Sequence, residues 1–385
     1  MYYDCIIIGG GASGLMLAAT LDMKGRKGLL LEKTTRLGTK LLMSGGGRCN
    51  ITHGGSIKEF VNVYGEAGPR LRKCLYRHSN TDLTSWLEAK GIPLTNEHDR
   101  IFPASMKASD ILGVFLDSAR SNGWEIRTEA EVYDFKRNDD GSLTVMASPA
   151  DSLRTSRAVI ATGGITYPET GSDGSMHDIL RAAGTAITPL RSALAPVYVE
   201  DYPYEELSGV SIENVTVTAF SSDAAATCKG KAARMTGDLL FTHRGFSGPV
   251  ILNISRYAEA GQLIRISYNK SLDDLPKRLR KCLEERSKGP SGDIRTTRLA
   301  ALLDSDDFTV SGIDEHGMVT AGGISLDDID TASMKIRSLS DPDGSYAVYA
   351  IGEAIDADGI TGGYNLQMCW STANAAADNI RVSLI

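Results

Sequence analysis

Gly9, Gly11 and Gly14 form a G-x-G-x-x-G run within IIIGGGASGL. Glycines at this spacing suit a phosphate. The first permits a tight turn, the second admits a pyrophosphate against bare backbone, and the third lets a helix pack closely on a strand. The helix that opens at such a turn presents free N–H groups and a partial positive charge to the anion. Glu32 lies 18 residues beyond Gly14 (32 − 14 = 18) and ends the apolar run at 28–31. Dinucleotide-binding chains place there, about 20 residues on, the acid that holds the ribose hydroxyls.

Three more stretches carry candidate chemistry. SGGGRCNITH sets Gly45, Gly46 and Gly47 in a row before Arg48, Cys49 and Asn50. Glycine loses more conformational freedom on folding than any other residue, so three together imply that bare backbone must approach something. Arg48 adds a fixed cation. Cys49 reads either as a redox thiol or as a structural residue, and the lack of a second cysteine nearby favours the latter. His53 reads as a polar neighbour rather than a base. ATGG at 161–164 follows an apolar run, and GITGGYNL at 359–366 precedes a helical one. A single pyrophosphate does not need two glycine-gated helix N-termini, whereas an extended dinucleotide with an anionic ring system does. Reduced flavin carries such negative charge, and N–H groups at 363–366 are suitable donors.

The elements that must position these residues follow from hydrophobic pattern. Strands are expected at 4–8, 28–31, 156–161 and 346–351, and helices at 13–24, at 36–43 and from about 365 onward. Residues 188–344 change character: Val210, Ile212, Val215, Val217 and Ala219, then 239–241, 263–267 and 308–313, read as short strands. They form a β-rich insertion, with helices at 272–288 and 296–303. Ser247 reads as an N-cap with Pro249 in the first turn of the next helix. His243 and Arg244, just before it, read as a structural corner, and the basic run 277–281 reads as a solvated helix face because acids flank it.

In order along the chain, GGGASGL, LGTKLLMSGGGRCNITH, ATGGITYPETGSDG, DLLFTHRGFSGPVIL, VTAGGIS and GEAIDADGITGGYNLQMCWSTA resemble the BaiN/YhiN-like family of bacterial flavoproteins. That family also holds aminoacetone-oxidase-type members and belongs to the two-dinucleotide-binding-domain superfamily. The resemblance implies an α/β fold: a Rossmann-like FAD-binding domain of glutathione-reductase type at 1–187 and 345–385. The insert at 188–344 is then β-barrel-like, with a small helical unit at about 271–304. It also implies that Gly9, Gly11, Ala12, Ser13 and Gly14 bind the pyrophosphate and that Glu32, with Lys33 beside it, binds the ribose. Thr39, Lys40, Ser44, Gly45, Gly46, Gly47, Arg48, Cys49 and Asn50 then lie along pyrophosphate and flavin, and Val132 meets adenine through its backbone. Ala161, Thr162 and Gly163 fall near the adenosine half, Gly352 and Glu353 by the ribitol, and Gly362, Gly363, Tyr364, Asn365 and Leu366 by the flavin.

The expected activity is FAD-dependent hydride transfer between flavin and a small organic substrate, with NAD(P)H as a candidate transient donor. A flavin-dependent tRNA-modifying enzyme and a non-catalytic redox sensor are the alternatives. No motif demands a particular acid or base, so catalytic residues are left unassigned, with Tyr167 and Tyr364 the candidates for mutation. Hydrophobic residues at 42% and a net charge of −7 describe an ordinary globular chain with no global attraction to nucleic acid or membrane. Six cysteines without a C-x-x-C pair imply reduced thiols and no metal site, and the N-terminus lacks a leader-like pattern, so a cytosolic protein is expected.

Overall fold

All four side chains of Cys5–Ile8 are buried, as are those of Gly28–Leu31 and Ala347–Ala350. Apolar runs of this kind, without alternation, belong to parallel strands covered on both faces. In the computed structural model, which describes residues 1–149, 151–220, 231–342 and 344–384, they form the centre of a seven-stranded sheet. Its order is Ile329–Asp330, Lys335–Ile336, Ala347–Ala350, Arg157–Ile160, Cys5–Ile8, Gly28–Leu31, Trp124–Arg127. The last five run parallel, and the first two are antiparallel. Because the five are parallel, Gly9, Glu32, Ala161 and Gly352 all leave the sheet at one carboxyl edge, where open α/β sheets bind ligands.

The chain divides into two units, Met1–Arg191 with Val319–Ile385 and Ser192–Met318. The return to the first unit therefore comes at Val319, earlier than the expected 345. Val319–Ile324 is buried throughout and pairs with Ile187–Ala193, so this strand belongs with the sheet domain rather than with the insert. The second unit is built on a closed six-stranded barrel of Val197–Val199, Gly245–Ser247, Lys231–Phe241, Ser211–Phe220, Leu263–Ser267 and Asp306–Ile313. Val217, Leu239, Phe241, Phe246, Ile264 and Val310 fill its core.

Several boundaries differ from the sequence reading, for local reasons. The first helix is Ala12–Thr20 and stops short of 24. Its last carbonyls are taken by tertiary partners: Asn122 Nδ2 donates to Ala18 and Ala19, and Trp124 Nε1 to Leu21. The helix expected at 36–43 is the single turn Thr39–Met43, because Gly38 adopts a left-handed φ of 65° as its N-cap. Ser247 lies in a strand, and Gly248 rather than Ser247 caps Pro249–Ile254. The helix expected at 272–288 is Lys277–Ser287, preceded by a 3-10 turn at Leu272–Asp274. A second helix follows at Thr296–Asp304. Cys228 lies outside the described residues, and the other five cysteines are free thiols.

Candidate functional site

The glycine turn is shaped by contact. A Cβ on Gly9, whose φ is +110°, would sit 2.4 Å from the Ala161 carbonyl oxygen, and one on Gly14 would sit 2.0 Å from that of Gly9. Only glycine fits either position, so the Gly9 turn and Ala161 are held together. Gly11 differs: its Cβ would meet nothing within 4 Å. It is the N-cap of Ala12–Thr20, and no side chain caps that helix. The turn therefore opens onto space bordered by unclaimed N–H groups.

Glu32 is buried at the end of its strand, 8% exposed. It accepts from Gly10 N at 2.8 Å and from Thr34 N and Oγ1, each at 2.8 Å. The carboxylate thus fixes the glycine turn while keeping acceptor capacity for a further hydroxyl. Beside it Lys33 donates to Asp173 at 2.5 Å and lies 3.8 Å from Glu131. Val132 begins the strand Val132–Arg137 with its side chain buried, and just before it Ala130 N donates to Glu32 O at 2.9 Å.

Lys40 and Glu353 are brought together as an ion pair at 2.8 Å. Lys40 also donates to Thr166 Oγ1 at 2.7 Å. Glu353 Oε1 accepts from Thr320 N at 2.6 Å and from Thr166 Oγ1 at 3.2 Å. Thr166 and Thr320, which the sequence reading passed over, tie four segments into one network. Gly352 approaches so closely that a Cβ would fall 2.6 Å from Ser13 Oγ, which sets the Gly352–Glu353 turn against the first helix.

Ser44–Gly47 is a 3-10 turn in which Gly45 and Gly46 have φ of 58° and 67°. Arg48 donates to Gly45 O at 3.2 Å and stacks over Phe102 at 5.0 Å, with Glu97 at 3.6 Å, so it is a held cation. Cys49 is fully buried, and burial pushes its thiol up to about 11. Such a thiol is inert at neutral pH. The C-terminal helix Tyr364–Ser383 starts from Gly363 at φ 96° without a side-chain cap. Gly363 lies against Thr52 and Asn50, and Asn365 Nδ2 donates to Gly359 O at 3.0 Å. His53 stacks on Tyr364 at 4.7 Å, and its Nδ1 lies 2.8 Å from Gly54 O. Tyr64 OH, another contact not legible beforehand, donates to Tyr364 O at 2.7 Å.

The expected site residues therefore fall on the carboxyl edge of the sheet and on the loops around it. Three buried polar atoms among them or beside them have no hydrogen-bond partner: Asn50 Oδ1, Thr162 Oγ1 and Ser172 Oγ. Buried polar groups in proteins are nearly always paired. Orphaned hydroxyl and amide oxygens, an open space at Gly11 and two uncapped helix N-termini fit an extended polyol-pyrophosphate such as FAD. In the other unit, His243 and Arg244 line a cleft of about 210 Å³ with Tyr198, Tyr202, Glu205 and Ser311. Among the described residues no helix is long and apolar enough to cross a membrane, and no group of ligating side chains could hold a metal.

The fold and this edge define an FAD-binding Rossmann oxidoreductase. The HI0933-like protein Rossmann domain model matches residues 3–379, and the chain belongs to that family. A ribosomal RNA dihydrouridine synthase of Escherichia coli is 28% identical over 422 aligned residues, covering 98% of each chain. A 3-dehydro-bile acid delta(4,6)-reductase of Clostridium scindens is 25% identical, covering 96% of this chain and 97% of its own. Among solved structures, a 3-ketosteroid delta1-dehydrogenase of Sterolibacterium denitrificans superposes with TM-score 0.52 at 13% identity, over 99% of this chain and all of that one. That likeness is one of fold.

Proposed function

We propose that this protein uses FAD to reduce a carbon–carbon double bond conjugated to a carbonyl, with NAD(P)H as electron donor. The observation that carries the reading is that two relatives matched over nearly their whole length bear names describing one kind of reaction. A uracil ring saturated to dihydrouracil and a bile-acid dienone both lose a double bond activated by a neighbouring carbonyl. Bound FAD, once reduced, supplies the hydride for such a reaction. The chain's own residues bind and orient it. Amides of Gly11, Ala12, Ser13 and Gly14 receive the pyrophosphate and Glu32 the ribose, whereas the Gly9 amide is spent on Leu31 O at 2.8 Å and Gly9 serves only the turn. Lys40 and Glu353 hold the turn beside the ribitol. Gly362, Gly363, Tyr364, Asn365 and Leu366 present N–H groups to negative charge on the ring.

The first substrate to test is a uridine in RNA, because the relative of higher identity carries that name. This departs from the expectation that no nucleic acid is involved. That expectation rested on whole-chain charge, and a net charge of −7 does not govern a local contact. A small enone is the second reading, favoured by the bile-acid relative. The test is to incubate the purified protein and NADPH with ribosomal RNA or with a steroid enone under nitrogen, and to weigh the products. A gain of two hydrogens on one of them supports the reading; unchanged masses for both, with flavin bound, contradict it.

A further inference from the structure

The helix Ala67–Arg77, AGPRLRKCLYR, has no part in the activity argued above. It holds four cations, Arg70, Arg72, Lys73 and Arg77, and no acid, in a chain whose net charge is −7. The cations share one side. Gly68, Leu71, Cys74 and Leu75 recur at helical spacing and are buried, whereas Arg70, Arg72, Lys73, Tyr76 and Arg77 are exposed. A Cβ on Gly68 would fall 1.7 Å from Val61 O, so the buried side is pressed onto the helix Ile57–Val63 and the basic side faces solvent.

Two of the cations are engaged: Arg70 pairs with Asp327 at 2.8 Å and Arg77 with Asp378 at 3.3 Å. The other two are not. Among the described residues no carboxylate pairs with Arg72 or Lys73. The Arg72 guanidinium instead lies 5.3 Å from the centroid of the Tyr76 ring, and that tyrosine is left 39% exposed. Unpaired cations beside an open aromatic ring and a stacked guanidinium suit a nucleic acid: phosphates take the charges and an unstacked base takes the ring. A helix that lies on a membrane turns its apolar side outward. Here that side is in the core, with Leu71 and Leu75 each 1% exposed.

Both ends of this helix are tied to the C-terminal helix Tyr364–Ser383, which begins at the Gly362–Gly363 turn proposed above for the flavin ring. Tyr64, just before it, donates through its hydroxyl to Tyr364 O at 2.7 Å. At the other end His78 O accepts from Gln367 Nε2 at 3.1 Å and from Ser371 Oγ at 2.6 Å. The basic face therefore runs beside that helix for about 16 Å. We infer that the exposed side of Ala67–Arg77 is the surface on which this enzyme holds RNA, with Arg72 and Lys73 on phosphates and Tyr76 stacked on a base. This rests on the RNA reading of the proposed function. A net charge of −7 spread over the chain does not oppose it, because exposed charges act over about a Debye length, roughly 10 Å.

The experiment measures filter retention of purified ribosomal RNA by the flavin-loaded, full-length protein across a salt series. It compares wild type with Arg72→Gln/Lys73→Gln, with Tyr76→Ala and, as a control on the other unit, with Lys277→Gln/Lys281→Gln. All five side chains are exposed, and flavin absorbance and melting temperature verify that each variant is folded. Loss of two phosphate contacts is expected to flatten the slope of log affinity against log salt by about 1.4 to 1.8, and to weaken binding about 25- to 60-fold at about 0.1 M salt. Tyr76→Ala is expected to weaken binding about 5-fold or more without changing the slope. The control is expected to match wild type. Unchanged affinity and slope in Arg72→Gln/Lys73→Gln, or an equal loss in the control, overturns the surface and leaves the RNA reading standing. A wild type that neither retains ribosomal RNA nor adds hydrogen to it, or that binds phosphatidylserine vesicles and no RNA, overturns the RNA reading and the surface with it.

Discussion

Cys49 sits in the middle of SGGGRCNITH, the stretch most suggestive of redox chemistry, yet it is fully buried with a thiol pushed up to about 11. At pH 8 its thiolate fraction is about 100-fold below that of a free cysteine. Iodoacetamide is therefore expected to label Cys49 at least about 100-fold more slowly in the native protein than in urea, as followed by peptide mass spectrometry. Lys40 and Glu353 show the reverse case. Their types and positions were legible from the motifs, but not that they pair with each other and with Thr166 and Thr320. Lys40→Met leaves a half-buried carboxylate short of its cation and is expected to cost about 1–3 kcal/mol, read in a urea titration. Asp173 titrates low: burial pushes it up, but the bonds from Lys33 and Ser175 prevail. A carboxyl with a depressed folded pKa stabilises above its unfolded value and loses that contribution as pH falls through the folded one. The melting temperature of the wild type should thus fall as pH drops below the ordinary carboxylate range, and Asp173→Asn should flatten part of that dependence.

At the scale of elements, what the sequence made plain was what local pattern dictates. Cys5–Ile8 and Gly28–Leu31 are unbroken apolar runs closed by glycine or acid; the second appears as read and the first begins one residue later than the expected 4. What it hid was decided by partners far along the chain. The first helix stops at Thr20 because Asn122 and Trp124 take its final carbonyls, a fact no window around residue 20 contains. Residues 319–324 were placed in the insert only because it was taken to run to 344; the strand Val319–Ile324, buried throughout, belongs to the sheet unit. The glycine turn allows an element-scale test. Gly9→Ala forces a methyl to 2.4 Å from the Ala161 carbonyl at a left-handed φ. It should destabilise the fold by more than about 2 kcal/mol and abolish flavin retention on gel filtration.

At the scale of the whole molecule, two units have separate cores, and the second is locked by one buried charge. Asp306 is fully buried. It accepts two bonds of 2.8 Å from Arg286 and one of 2.9 Å from Tyr268, joining the helix Lys277–Ser287 to the barrel. Arg286→Met would strand that carboxylate, which costs about 3–5 kcal/mol when one partner of a buried pair is removed. Hydrogen exchange should show the barrel amides losing protection while the sheet amides keep theirs. The basic run 277–281 had read as a solvated face; Arg286, further along the same helix, was not singled out, and its partner lies 20 residues on in a strand.

In the proposed reaction, reduced flavin on this chain gives its electrons to a conjugated double bond. The most direct measurement reduces the purified protein with NADPH under nitrogen and then mixes it in a stopped-flow instrument with uridine-bearing ribosomal RNA or a steroid enone. Rapid return of the oxidised flavin spectrum is expected with one of them, with the double bond saturated in the product. A flavin that stays reduced with both, and reoxidises only when air is admitted, would contradict it.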